Sequence, residues 1–357
     1  MLMIDANAHV IESDQTWAYM DASEDQYRPA TVVSRDVQGK DTEYWIIEGK
    51  ALKRRLFDPE RARTSVEAGE LLDVSARLKH MDDLGVDVQV LYPTIFLNLA
   101  FHRPAIELAL SRSYNRWLAD IWRAGGGRLR WVVVPPLQSM DVALEELRLG
   151  KEHGACGVFM RGVEGDRIPS NEAFFPLYEE AQRLDMPICF HAGSSGRAYE
   201  AMFPVGEGEA PLWFAKGPVL NTLHTLALNN IPDQFPALRW GFIEASSAWV
   251  PFALHDLSAR FKRIHWQFGA RSVDGLLERC RFFVACQTDD DLEYVLKYAG
   301  QNQLIIGSDY GHADTASELE ALSLLKGQGK VASDVIDRIL TDNPRRLYGI
   351  QLARIAE

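Results

Sequence analysis

The sequence predicts an α/β protein of the (β/α)8 barrel class, with a β-hairpin inserted in the first loop between strand and helix. Short apolar segments alternate eight times with longer segments of helical periodicity along the 357 residues. Most of the apolar segments lack polar alternation, which is typical of parallel strands covered on both faces. A doubly wound open sheet is the alternative, but no G-x-G-x-x-G fingerprint follows the first strand.

The eight predicted strands are β-branched or aromatic and are bounded by glycine, proline or charged residues. They comprise residues 1–4, 86–92, 129–134, 156–160, 187–190, 238–243, 282–286 and 304–307. Helices are predicted between and after them, because apolar residues recur there at helical spacing. These cover residues 70–84, 104–124, 141–153, 171–184, 217–229, 247–268, 289–298 and 315–326.

Two parts of the chain lie outside this repeat. Residues 11–68 form an insertion in which 42–48 and 51–57 are predicted as the arms of a hairpin around Gly49-Lys50. Long insertions of this kind are usually lids or binding loops. Residues 331–357 are predicted as two helices outside the barrel, broken at Asn343-Pro344. Since no linker, repeat or low-complexity segment divides the chain, residues 1–357 are expected to be a single domain.

Composition excludes several classes of partner. The chain is 47% hydrophobic and 25% charged, with a formal net charge of −12 and no basic run, which argues against a nucleic-acid partner. No apolar run approaches the roughly 20 residues that span a bilayer, and no signal sequence is present, so we expect no membrane partner and a cytoplasmic location. Four cysteines without C-x-x-C spacing are expected to be free thiols.

Polar side chains follow several of the predicted strands, and the C-terminal ends of barrel strands meet at one mouth. The residues concerned are Asp5, Asn7, His9, Glu12, Arg161, His191, Glu244, Ser308, Asp309 and His312. Imidazoles and carboxylates that converge in this way suit a divalent transition metal, either Zn, Mn or Fe, as one or two ions. The predicted ligands are His9, Glu12, His191, Glu244 and Asp309.

The remaining candidates are assigned to catalysis and to substrate binding. Asp309 and Glu244 are also predicted to act as general base, and His224 is a further catalytic candidate on a predicted helix. The predicted substrate-binding residues are Arg161, Asn7 and Arg54. Several have structural alternatives: Asp309 could cap a helix, His312 could begin one, and Arg161 could belong to an ion pair.

Five segments together resemble the amidohydrolase-related family, and within it the aminocarboxymuconate-semialdehyde decarboxylase-like branch. They read DANAHVIE, FHAG, FPALRWGFIEASSAWVP, IIGSDYGH and DNPRRLYG. The resemblance implies a distorted TIM barrel with a metal at the strand mouths. It also implies His9 (with Glu12 or Asn7 nearby), His191 and Asp309 as the metal ligands. Members of this family often pair, so a homodimer is an option.

Two positions depart from that family pattern. Its decarboxylases commonly carry H-x-H or E-x-H in the first motif, whereas Asn7 stands at the leading position here. Neutral asparagine is a poor transition-metal ligand, so the site is short of a ligand or recruits another. Those decarboxylases also use a sixth-strand histidine as acid or base, where this chain has Glu244. A carboxylate is usually ionised at neutral pH, so proton delivery to carbon, which decarboxylation needs, loses support.

The favoured function is therefore a metal-dependent hydrolase that acts on a small or aromatic organic acid or acyl compound through a metal-activated water. The first alternative is a non-haem diiron monooxygenase, in which His9, Glu12, His191, His224, Glu244 and Asp309 would hold two irons. The second alternative is a nonoxidative decarboxylase. The aromatic residues of the insertion and neighbouring loops favour a small-molecule substrate with an apolar or aromatic body.

Overall fold

A computed structural model describes residues 2–351 apart from residues 36, 38, 40, 55–58, 203–211 and 270. Eight parallel strands form one sheet in chain order, and these are the predicted strands of the (β/α)8 barrel, which the structure confirms. They are β1 (Ile4–His9), β5 (Val88–Tyr92), β6 (Leu129–Val133), β7 (Ala155–Arg161), β8 (Ile188–His191), β9 (Trp240–Ile243), β10 (Phe282–Cys286) and β11 (Leu304–Ile306).

The barrel closes where the chain beyond β11 meets β1. The amide of His9 donates to the carbonyl of Tyr310 at 2.9 Å, and the amide of Asp309 donates to the carbonyl of Asn7 at 2.9 Å. Gly307 permits this approach, since a Cβ there would lie 2.4 Å from the Asn7 Cβ. Glycine is therefore required at the point where the last strand passes the first.

Helices cover the barrel and bury its apolar side chains. The longest is α4 (Pro104–Ala124), which begins with proline in its first turn and has the predicted bounds. The other helices that follow barrel strands are α5 (Met140–Glu152), α6 (Phe175–Arg183), α7 (Arg197–Met202), α8 (Gly217–Leu228), α9 (Ile231–Gln234), α10 (Val250–Arg263), α11 (His265–Phe268), α12 (Leu276–Arg279), α13 (Leu292–Ala299) and α14 (Ala321–Gly327). Within the described residues, none of the helices has the length and apolarity to span a membrane.

The first strand lies further along the chain than predicted. The prediction ended it at residue 4, because Asp5, Asn7 and His9 are polar, but β1 contains all three. Every residue of β1 is buried. Polar side chains are tolerated inside the barrel here because each has partners on neighbouring strands. A β-bulge between Asp5 and Ala8 shifts the register of β1 on β5, close to the end of β1 where His9 lies.

The insertion contains more structure than a hairpin. Three antiparallel strands, β2 (Ala30–Arg35), β3 (Asp41–Ile47) and β4 (Lys50–Lys53), form a separate sheet. The tight turn is at Glu48-Gly49, where both φ angles are positive, one residue before the predicted turn. Residues 55–57 of the predicted second arm lie outside the described residues. The insertion continues through α1 (Pro59–Ala62) and α2 (Val66–Gly69) to α3 (Val74–Leu84), whose N-cap is Asp73.

The predicted break at Asn343-Pro344 is wrong. Helix α15 (Ser333–Asp337) continues through a π-helical turn, Arg338–Asp342, into α16 (Asn343–Tyr348). Proline is in the first turn of α16, directly after the π turn. The wider turn changes the hydrogen-bond pattern just before the residue that has no amide hydrogen, so the helix is not interrupted. All four cysteines are free thiols, as expected, and three of them are buried.

Arg77 of α3 lies fully buried against β1. Its guanidinium donates to Gln89 Oε1 at 2.7 Å, to the His9 carbonyl at 3.1 Å and to the Ala68 carbonyl at 3.2 Å. It also lies 3.5 Å from the centroid of the Tyr310 ring. One cation therefore connects α3, β1, β5 and the segment that closes the barrel.

The network extends from Gln89 to the carboxylate of Asp5. Gln89 Nε2 donates to Asp5 Oδ2 at 2.9 Å, and the amide of Ser308 donates to Asp5 Oδ1 at 2.9 Å. The Ser308 hydroxyl also donates to Asp5 Oδ2 at 2.5 Å. Asp5 thus acts as a buried acceptor that ties β1 to β5 and to the chain after β11, and it does not belong to the metal-type cluster described below.

Replacing Arg77 with Met is expected to destabilise the protein by about 2–4 kcal/mol, because the buried oxygens of Gln89 and His9 lose their donor. Urea unfolding of the full chain measures the effect. The matched control is Lys79→Met on the same helix, since Lys79 forms only an exposed pair with Asp83. The control should change stability by no more than about 0.5 kcal/mol. Equal stability of the two variants would contradict a supporting role for Arg77.

Candidate metal centre

Four strand ends bring histidine and carboxylate side chains together at the C-terminal mouth. His9 ends β1, His191 ends β8, and Glu244 directly follows β9. Asp309 and His312 lie in the loop after β11. The ligand-capable atoms of His9, Glu244, Asp309 and His312 lie within 4.8 Å of one another. His191 belongs to the same cluster, because its Nε2 is 2.9 Å from Glu244 Oε2 and 3.2 Å from His9 Nε2.

The imidazoles of His9 and His191 are oriented by backbone carbonyls. His9 Nδ1 lies 3.0 Å from the carbonyl oxygen of Pro93, and His191 Nδ1 lies 3.0 Å from that of Ala192. Because a carbonyl oxygen only accepts, both rings carry hydrogen on Nδ1 and direct Nε2 into the centre. This is the arrangement by which proteins hold metal-binding histidines.

Both carboxylates occupy strained backbone positions. Glu244 has a φ of 60° and Asp309 a φ of 53°, in the left-handed region that L-residues rarely adopt. Ser317 donates to Asp309 Oδ2 at 2.5 Å, and Asn7 Nδ2 donates to Glu244 Oε2 at 3.0 Å. Asp309 Oδ1 is buried without a hydrogen bond, although it lies 3.2 Å from His9 Nε2. These oxygens are held facing the imidazoles by the backbone and by their partners.

Electrostatics in the cluster reflect its complete burial. Burial and the nearby charge of His312 lower the pKa of His9 to about 3, so this imidazole is neutral. Burial, together with the charge of Glu244, raises the pKa of Asp309 well above its ordinary value. Burial opposes ionisation of Glu244, but its interactions with His191 outweigh this and hold its pKa well below the usual range. A buried space with two carboxylates is one in which a divalent cation is favoured.

The donor set fits a transition metal. Ligand atoms that each lie about 2.1 Å from one ion are about 3.0–3.4 Å from their neighbours. The distances from His9 Nε2 to His191, Glu244 and Asp309 are each 3.2 Å. His9, His191 and Glu244 would hold the ion, and Asp309 is close enough to reach it. The structure thus supports a site for a divalent metal.

The family model for amidohydrolases matches residues 4–350 of the chain. The protein belongs to the amidohydrolase family. This confirms the family to which the sequence motifs pointed.

Solved structures with the same fold include an amidohydrolase from Mycobacterium avium subsp. paratuberculosis K-10, at 18% identity and a TM-score of 0.76, covering 98% of this chain and 99% of its own. A 5-carboxyvanillate decarboxylase from Novosphingobium aromaticivorans, solved with manganese, has 18% identity, a TM-score of 0.72, and coverage of 98% and 96%. A 2,6-dihydroxybenzoate decarboxylase from Rhizobium has 19% identity, a TM-score of 0.61, and coverage of 76% and 87%. At these identities the likeness shows a shared fold.

Glu12 is not at the centre, contrary to the predicted ligand role. Its buried carboxylate accepts hydrogen bonds from the amides of Thr94 and Ile95, both at 3.0 Å. Burial raises the pKa of Glu12 to about 7 despite these bonds. The side chain turns toward the loop after β5 because two amides there need an acceptor. Glu12 therefore stabilises the loop beside the centre.

His224 is also displaced from the predicted catalytic position. It lies on α8, and its Nε2 is 2.7 Å from Asp256 Oδ2 on α10. The pair joins two helices of the outer layer. Glu12 and His224 were two of the six residues predicted to hold two irons. With both outside the centre, the described residues form one cluster of possible metal ligands and lack a second cluster for the second iron.

The two predicted substrate-binding arginines are engaged within the protein. Arg161 donates to both oxygens of Glu164, at 3.0 and 2.7 Å, and to two backbone carbonyls, which is the ion-pair alternative. Arg54 lies 3.5–3.6 Å from the carboxylates of Asp14, Glu43 and Glu70. Neither guanidinium is oriented toward the cluster by these contacts. Arg55, the next residue of the predicted hairpin arm, lies outside the described residues.

His312 lies in the cluster, although the ligands predicted from the sequence did not include it. Its ring stacks on that of His9 with centroids 3.9 Å apart, and its Nδ1 lies 3.0 Å from Asp309 Oδ1. The spacing Asp309-x-x-His312 was visible in the sequence but was also compatible with a helix start. Only the turn after Asp309, which returns the chain toward β1, decides between the two. Asn7, in contrast, is in the cluster as expected, with its Oδ1 3.2 Å from His191 Nε2.

A cavity of about 200 Å³ opens on Glu244 at this mouth. Its walls come from the loops after β8 and β11 and from the π-helical turn Leu212–Lys216 before α8. Most of the described wall is apolar, and Lys216 is the one cationic side chain among the described lining residues. The lining residues are Ala192, Leu212, Ala215, Lys216, Glu244, Asp314, Thr315 and Ala316.

Measurements of metal binding should distinguish His191, a proposed ligand of the centre, from Glu12, which only supports the loop beside it. His191→Ala removes a ligand atom and should weaken Mn²⁺ binding by a factor of ten or more, whereas Glu12→Gln should retain one ion per chain. Elemental analysis after dialysis against defined Mn²⁺ concentrations measures both. Glu12→Gln is expected instead to lower the melting temperature, because an amide oxygen replaces only one of two acceptors. Loss of metal in Glu12→Gln with retention in His191→Ala would reverse the assignment.

Proposed function

We propose that the protein is a metal-dependent nonoxidative decarboxylase of a small aromatic acid, which was the second alternative from the sequence. The observation that carries the proposal is the contact between Asp309 and His312 at the edge of the centre. The sequence offered no proton donor beside Glu244, and this contact supplies one. The likeness to decarboxylases that act on 5-carboxyvanillate and 2,6-dihydroxybenzoate agrees with it.

The protonation of the pair follows from its neighbours. The Thr94 hydroxyl donates to the Val10 carbonyl at 2.7 Å, so Thr94 Oγ1 accepts from His312 Nε2 at 2.9 Å. His312 Nδ1 then faces Asp309 Oδ1 at 3.0 Å as an acceptor. The structure records no hydrogen bond between these two atoms, so their close approach becomes favourable when a proton lies between them. Burial favours the protonated form of Asp309, which would supply that proton. The pair therefore stores one proton at the mouth.

The reaction uses this proton at a defined step. The bond from the ring carbon to the carboxylate breaks, its electron pair remains on the ring carbon, and CO₂ leaves. Asp309 then delivers the proton to that carbon, while His312 and Ser317 hold its carboxylate in place. A bound divalent ion would supply positive charge for the oxygens of the substrate. His9, His191 and Glu244 would hold that ion, and the apolar cavity would exclude water from the carbanion.

Hydrolysis, the function favoured from the sequence, uses the same aspartate in the opposite sense, as a base that takes a proton from water. The two reactions differ in their products. Decarboxylation releases CO₂ without oxygen and places one solvent hydrogen on carbon. Hydrolysis cleaves an ester or amide and releases no CO₂. Oxygen uptake with an iron-loaded protein would instead support the monooxygenase.

Mn²⁺-loaded protein should release CO₂ under nitrogen from a panel of hydroxybenzoic acids that includes 2,6-dihydroxybenzoate and 5-carboxyvanillate. In deuterium oxide the product should carry deuterium at the former carboxyl position, detected by NMR. His312→Phe keeps the ring stacked on His9 but cannot exchange a proton, so kcat should fall by about 10²-fold or more with the metal content unchanged. The exposed histidine variant His265→Phe should retain activity. Ester or amide hydrolysis without CO₂ release would overturn the proposal.

A further inference from the structure

We propose that Lys216 binds a second anionic group of the substrate, so that the cavity above Glu244 selects single-ring acids with two negative charges. This inference rests on the proposed function, because it places the departing carboxylate at the metal centre. It adds a specificity-determining residue and a substrate class that the centre alone does not define.

The size of the cavity sets the size of the ligand. An engineered protein cavity of about 150 Å³ takes up benzene. The volume of about 200 Å³ here therefore accommodates one six-membered ring with substituents. Ala192, Ala215 and Ala316 provide small apolar parts of the wall, and the described wall as a whole exposes little polar surface to the cavity. A flat apolar ring is the body that such walls favour.

The charge of Lys216 has no partner in the described part of the chain. The side chain is half-buried, yet its ammonium group forms no hydrogen bond or ion pair with the described residues. Asp314, the other acid of the cavity besides Glu244, accepts from the amide of Ala316 at 2.7 Å and lies 3.3 Å from Ser317 Oγ. An ammonium group that has no ion-pair partner among the described residues is available to an anion that enters the cavity.

The local backbone strengthens this conclusion. Lys216 is the last residue of the π-helical turn Leu212–Lys216 and the N-cap of α8. Neither segment has an acidic residue in its first turn. The positive end of the helix dipole disfavours a cation at such a position, by about 0.3–1 kcal/mol. Lys216 therefore does not stabilise the helix, whereas an anion beside it would be favoured by both the ammonium group and the dipole.

Charge balance at the mouth gives a cation of this kind a role when the substrate carries two negative charges. A divalent ion would neutralise Glu244 and one further negative charge of its ligands or substrate. A second anionic substituent on the ring would then be buried without compensation unless Lys216 met it. Its flexible stem allows the ammonium group to reach substituents at different ring positions.

Equilibrium binding tests the inference without turnover. Isothermal titration of the Mn²⁺-loaded protein with benzoate and with isophthalate, the benzene-1,3-dicarboxylate, gives the ratio of the two affinities. Wild type should bind isophthalate at least tenfold more tightly than benzoate. Lys216→Met should abolish this preference and leave benzoate binding within about twofold, whereas Lys216→Arg should retain it. Lys326→Met, which removes a lysine from the last turn of α14, is the matched control.

An unchanged affinity ratio in Lys216→Met would overturn the inference, and so would failure of both acids to bind the wild-type protein. The result is separable from that of the decarboxylase assay. Loss of the preference in Lys216→Met without CO₂ release from any acid would support the anion subsite and contradict the decarboxylase. CO₂ release with an unchanged ratio would contradict the subsite alone.

Discussion

The structure of the mouth depends on the burial of three polar side chains on one strand. Asp5, Asn7 and His9 alternate along β1, and all are nearly or fully inaccessible to solvent. A buried polar group without partners costs on the order of several kcal/mol, so each position fixes a neighbour. Asp5 fixes Gln89 of β5 and Ser308 after β11, while His9 fixes the carbonyl of Pro93. The contacts that fix the register of β1 in the barrel therefore also place His9 in the centre.

Strain in the backbone is concentrated at the same place. Glu244 and Asp309 both have left-handed φ angles, which cost on the order of 1 kcal/mol or more for a residue with a Cβ. In each case the conformation turns a carboxylate back into the barrel immediately after its strand ends. The Arg77 guanidinium under β1 contacts the ring of Tyr310, the residue directly after the strained Asp309. This contact supports the backbone at one of the two strained turns.

The sequence predicted the barrel because apolar strands and helical periodicity are local properties, and residues 104–124 are the clearest case. It also placed His9, His191, Glu244 and Asp309 at one mouth of the barrel, since the C-terminal ends of parallel barrel strands meet whatever the loops do. It misplaced Glu12 and His224, and left His312 undecided, because their positions depend on the direction of a loop or on the outer face of a helix. Arg161 is not a free cation because the turn directly after β7 brings Glu164, three residues further on, against its guanidinium, which is the ion-pair alternative that the sequence left open.

The two departures from the family pattern contact each other in the structure. Asn7 stands where a charged or imidazole ligand is common, and Glu244 stands where a histidine is common, which the sequence alone treats as unrelated. In the structure, Asn7 Nδ2 donates to Glu244 Oε2 at 3.0 Å. The amide on the first strand orients the carboxylate that follows the sixth barrel strand. That carboxylate lies next to His9 and His191, at 3.2 and 2.9 Å. An imidazole is present in the cluster as well, since the ring of His312 stacks on that of His9.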